Sequence, residues 1–212
     1  MNIKYIYHSG FLVETADCYY LFDYYKGTLP NLKQDKPVFV FASHNHQDHY
    51  NTKVFQLLQE QKMQKITAVL AKDIPVKKYP VGDMECIRVK ANQTYQPGCN
   101  TTVKTLLSTD AGVAFLIQCP EGIIYHAGDL NDWSFEGADD LTSWKMRREF
   151  QSEIKRLKNK EIHIDLRKFR PEWKIIKRIL YIGVPNGLEN SVFQIGKLMV
   201  QGITASFGTT AI

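Results

Sequence analysis

Three of the six histidines fall within six residues, in His44-Asn45-His46-Gln47-Asp48-His49, with an aspartate among them. Alternate side chains of an extended segment point the same way, so His44 and His46 reach one metal ion together. The chain must then turn toward the next element, which lets Asp48 and His49 point to a second position. Imidazole and carboxylate donors around an open site suit zinc, with iron or manganese as alternatives. A metal ion held at such a site can lower the pKa of bound water and supply a hydroxide nucleophile. His8 and His163 lie outside any comparable pattern, and His126 reads as a structural residue on a strand.

The elements needed to hold this cluster are legible around it. Val38-Phe39-Val40-Phe41-Ala42 is a continuous apolar run of strand length, as in a strand buried on both faces. It ends at Ser43, directly before the cluster. Asn51 or Thr52 then caps an expected helix whose apolar face carries Val54, Leu57 and Leu58. Before the run, 3–8, 11–15 and 18–23 read as short strands separated by turn residues. After the helix, strands are expected over 66–71, 84–89, 102–107, 112–119 and 122–127. Met146, Phe150, Ile154 and Leu157 recur at helical spacing and predict a helix over 141–158. Strands with helices at intervals make a layered α/β or α+β domain.

The chain has 212 residues, 44% hydrophobic and 23% charged, with a formal net charge of +5. That is a globular composition. The positive surplus is concentrated between Lys145 and Arg178. A solvated helix face followed by a membrane-flanking linker explains it, so no nucleic-acid partner is expected. Cys18, Cys86, Cys99 and Cys119 form no Cys-x-x-Cys pair and read as free, largely buried thiols, which fits a reducing cytoplasmic setting. The first residues lack a secretory pattern.

His-x-His-x-Asp-His after an apolar strand resembles the signature of the metallo-β-lactamase superfamily. Tyr7-His8-Ser9-Gly10-Phe11-Leu12-Val13-Glu14 and Leu21-Phe22-Asp23 resemble its opening strands. Ser108-Thr109-Asp110-Ala111-Gly112 and His126-Ala127-Gly128-Asp129-Leu130 resemble its later landmarks. The likeness covers about 1–165 and is greatest to small hydrolases of the ascorbate-lactonase-like branch. It implies an αββα sandwich, incomplete at its C-terminal end, and a zinc-dependent hydrolase of a small ester, lactone, amide or phosphoester. It also implies metal ligation by His44 and His46 at one ion and Asp48 and His49 at the other, bridged by Asp129. Asp48 would hold the nucleophile and pass its proton onward. Asp23 would orient the metal loop or stand as a plain strand-end aspartate. Trp133 and Trp144 would line the mouth or pack as buried aromatics.

The sequence departs from that pattern. No histidine lies between His49 and His126, and none follows His163. Asp110 stands near the place of the first missing histidine, as an oxygen ligand or a turn residue. The segment 166–212 has a different character, a basic stretch containing Pro171 and then apolar runs broken by Pro185-Asn186-Gly187. Arg170-Pro171-Glu172-Trp173 through Gly196-Lys197-Leu198 resembles a fragment of a multidrug and toxic compound extrusion transporter. The apolar stretch over 179–212 reads as a membrane-associated helix or as an amphipathic or buried one, since Lys197 would be costly at mid-membrane. Two resemblances meeting near Asp165 imply a fused or truncated chain. The alternative function is then an inactive metal-binding remnant or a membrane-associated transporter fragment.

Overall fold

The computed structural model describes residues 1–80, 84–109, 111–133 and 139–160, with Trp173, Ile176, Lys177 and Tyr181. Among the described residues ten strands form two sheets. The first sheet holds β1 (Asn2–Tyr7), β2 (Gly10–Glu14), β3 (Tyr19–Phe22), β4 (Val38–Ala42), β5 (Ile66–Ala71) and β6 (Glu85–Val89), in that spatial order. β1 to β3 are an antiparallel meander, and β3 to β6 run parallel. The second sheet is antiparallel, with β7 (Thr94–Gly98), β8 (Thr101–Leu107), β9 (Val113–Cys119) and β10 (Gly122–His126) in the order β10-β9-β8-β7. Helix α1 (Lys53–Glu60) follows β4, and α2 (Asp140–Lys160) follows β10.

Alternation along β9 shows how the layers stack. Val113, Phe115 and Ile117 join the core shared with the first sheet, while Ala114 and Leu116 face the other way and cluster with Leu157 and Ile154 of α2. This is the period of two that a strand covered on both faces requires. Between the sheets the Phe41 and Phe115 rings meet edge-on at 5.1 Å, and the Tyr20 and Thr101 hydroxyls bond at 2.7 Å. Every residue of β4 and β5 is buried, because α1 covers the far face of the first sheet with Val54, Phe55 and Leu58. The order is helix, sheet, sheet, helix: the expected αββα sandwich.

The differences from expectation are local. β7 escapes sequence reading because Tyr95-Gln96-Pro97-Gly98 carries no apolar alternation, and Pro97 is tolerated on an edge strand that needs no second ladder. In α1, Phe55 rather than Leu57 completes the buried face. Thr52 stands at the N-cap without a side-chain cap bond, and the Asn51 Oδ1 before it accepts the Lys53 N–H at 3.0 Å. All four cysteines are free, with Cys18 and Cys119 buried. Among the described residues no helix is long and apolar enough to cross a membrane. Asp110, His163 and the apolar stretch over 179–212, apart from Tyr181, lie outside the described residues.

Candidate metal centre

The loop after β4 lies where the parallel strands end, beside the turn after β10. Two glycines make that approach possible. Gly112 has φ +67°, and a β-carbon on it would lie 1.9 Å from the Ser43 carbonyl oxygen. The gap is used by a backbone bond, Val113 N–H to Ser43 O at 2.9 Å. Gly128, with φ +57°, leaves 3.1 Å between its would-be β-carbon and the Ser43 side chain. The loop is pinned from the other side as well. Asn45 N–H donates to Asp73 at 2.8 Å, and Lys78 Nζ donates to Asn45 Oδ1 at 2.8 Å.

Asp23, at the end of β3, is fully buried and organises the histidines. Its Oδ1 accepts the Ser43 N–H at 2.7 Å. Its Oδ2 accepts the Ser43 hydroxyl at 2.7 Å, His49 Nδ1 at 2.8 Å and His126 Nε2 at 2.8 Å. An ionised carboxylate only accepts, so each of these neighbours must donate. The Ser43 hydroxyl hydrogen is therefore committed to Asp23, and Ser43 Oγ is left to accept His44 Nδ1–H at 2.9 Å. Both tautomers follow from the network. In the neutral form of each ring, His44 and His49 then present a bare Nε2. Burial alone would raise the Asp23 pKa, but the His126 charge and the bonds from His126, His49 and Ser43 outweigh it and hold the carboxyl well below the usual range. Burial and repulsion by His49 push His44 down. For His49 the burial penalty is exceeded by its bond to Asp23 and the nearby Asp129 and Asp48 charges, so it is pushed up.

The bare nitrogens converge on Asp129, in the turn after β10. Asp129 Oδ2 lies 3.5 Å from His44 Nε2, and Oδ1 lies 3.2 Å from His49 Nε2. His44, His46 and Asp129 offer three donor atoms within 4.8 Å of one another. A second group, His8, Asp48 and His49, does the same. His44 Nε2 is buried and makes no hydrogen bond among the described residues. A desolvated nitrogen of this kind is costly unless something fills its lone pair, and a divalent cation fits a donor set of imidazoles and carboxylates.

Sequence reading nominated His44, His46, Asp48, His49 and Asp129, and the structure gathers all five. Asp23 bonds the loop as described. His126 spends its Nε2 on Asp23 and stacks on Phe22 at 4.9 Å. Trp133 Nε1 donates to the Asp129 carbonyl at 3.1 Å, whereas Trp144 is 57% exposed beside Arg148 rather than packed inside. Sequence reading missed His8. Its one local signal is a histidine in the short turn Tyr7-His8-Ser9-Gly10 between two strands.

The family comparison agrees with this architecture. The model of the beta-lactamase superfamily domain matches residues 2–141, and the chain belongs to that superfamily. No curated protein matches the chain. Among solved structures it is similar to CmlA, a diiron beta-hydroxylase from Streptomyces venezuelae, at 16% identity and a TM-score of 0.47, covering 62% of this chain and 30% of that one. It is also similar to Igni18, a novel metallo hydrolase from the hyperthermophilic archaeon Ignicoccus hospitalis KIN4/I, at 18% identity and a TM-score of 0.46, covering 59% of each chain. The chain thus spans less than two thirds of either structure.

Proposed function

We propose that the chain is a metal-dependent hydrolase acting on a small ester, lactone, amide or phosphoester, with two zinc ions and with iron or manganese as substitutes. His44, His46 and Asp129 would hold one ion, and Asp48 and His49 the other, with Asp129 shared. The observation that carries this reading is the pair of Nε2 atoms on His44 and His49, facing the two oxygens of one carboxylate. Zinc bound there would supply Lewis acidity, polarising the substrate oxygen and lowering the pKa of water to about 7.

The protein groups supply the rest. Asp23 and Ser43 fix the two tautomers, which keeps Nε2 of each histidine available as a donor. Asp48, about half exposed, would take the proton of the attacking water and hand it to the leaving group. The four free thiols favour a reducing cytoplasm.

The test is metal analysis of the purified protein beside a His44→Ala/His46→Ala variant, with hydrolysis assayed on lactone, phosphodiester and β-lactam panels. Wild type should carry zinc and hydrolyse at least one panel, and the variant should do neither. Unchanged metal content in the variant defeats the reading. Zinc binding without hydrolysis identifies a binding remnant instead. For 166–212, the transporter resemblance proposes membrane association. Full-length chain should then partition into membranes where a chain ending at Asp165 does not, and equal partition removes that proposal.

A further inference from the structure

The structure assigns His8 as a third protein ligand of the second metal position, contributed by the β1–β2 turn, a segment outside the histidine motif. This inference rests on the metal-centre reading above. His8 Nε2 lies 3.7 Å from Asp48 Oδ2, and the His8 ring meets the His49 ring edge-on at 5.6 Å between centroids. The donor atoms of His8, Asp48 and His49 lie within 4.8 Å of one another. His8 Nδ1 is bonded to Ser9 Oγ at 3.0 Å, which leaves Nε2 as the atom directed at the pair.

The backbone is shaped for this placement. His8 has φ +53°, in the left-handed region that costs a non-glycine residue about 1–2 kcal/mol. Tyr7 pairs with Gly10, so His8 and Ser9 are the two central residues of the hairpin. Turns of that length place their first central residue at positive φ. Asparagine or glycine would serve such a turn with less strain, so a histidine there points to its ring. Asp23 O lies 3.3 Å from where a Gly10 β-carbon would stand, which holds the turn against the end of β3 and hence against the metal loop.

The two positions differ in access. The His44 side chain is fully buried, whereas those of His8 and Asp48 are 47% and 48% exposed. His8 also lines a cavity of about 480 Å³ with Phe11, Phe22, Ile124 and His126. The His8 position is therefore the open one, which fills second and exchanges more readily.

The experiment is stepwise zinc titration of metal-free full-length protein against a chromophoric chelator, repeated with cobalt(II) to read ligand-field absorbance. His8→Asn, which tolerates positive φ, is compared with His8→Ala. Wild type should bind two ions. Both variants should keep the first affinity, which also certifies folding, and lose at least tenfold in the second, with a changed cobalt spectrum for that step alone. Second-step affinity within twofold of wild type in His8→Asn, or first and second steps weakened equally, overturns the assignment. A wild-type chain that binds one ion also overturns it while leaving a mononuclear centre. A chain that binds none overturns the metal-centre reading itself.

Discussion

Asp23 Oδ2 accepts the Nδ1–H of His49 at 2.8 Å, and both side chains are almost completely buried. In the metal-free protein this pair should govern pH dependence from two sides. The Asp23 pKa is depressed by folding, so its stabilisation is present above the unfolded value of about 3.9 and is lost as pH falls toward the lower folded value. The His49 pKa is raised, so its stabilisation is complete below about 6.5 and is lost as pH rises through the folded value. Asp23→Asn should cost about 3–5 kcal/mol near neutral pH, and the gap to wild type should narrow in acid. Thermal melts in chelator from pH 3 to 8 check this. A pH-independent gap would show that the pair is not the coupled element.

Gly112→Ala should be among the most damaging single substitutions in the chain. Its β-carbon would overlap the Ser43 carbonyl, and its φ is disfavoured as well. A loss above about 4 kcal/mol is expected, by urea denaturation. Gly98→Ala is the control: φ is +120° but nothing lies within 4 Å, so only backbone strain of about 1–3 kcal/mol applies.

Zinc should stabilise the folded chain by mass action. At a hundredfold excess over Kd the gain is about 2.7 kcal/mol, seen as a raised Tm that a chelator reverses. In His44→Ala that response should shrink sharply. An equal response in variant and wild type would move the binding site elsewhere.

His126→Phe separates orientation from ligation. His126 bonds Asp23 and stacks on Phe22, so phenylalanine keeps the stacking and deletes the bond. The variant should bind the same number of zinc ions with affinity weakened by about 10–100-fold. Loss of a whole ion would show that His126 is itself a ligand.

Much of this was legible in the sequence because it is local. Val38 to Ala42 announces a doubly buried strand through unbroken apolarity, and the spacing of His44, His46, Asp48 and His49 announces metal ligation. The edge strand at Thr94–Gly98 was not legible. Edge strands need little apolar patterning, since solvent takes part of their hydrogen bonding.

By itself the sequence determined the apolar run that becomes β9, the donor cluster after β4 and the superfamily to which the chain belongs. Tertiary structure alone brought His8 to Asp48 and His49, and set how closely Asp129 approaches the loop histidines. Asp129 is 80 residues beyond His49 by number, and His8 precedes it on a different strand pair. They meet because the sheets close face to face and Gly112 lets backbone touch backbone at Ser43. It also decided which imidazole nitrogen is bare, because that depends on where the Ser43 hydroxyl spends its one hydrogen. Proton placement follows from the whole buried network around Asp23, and no spacing along the chain encodes it.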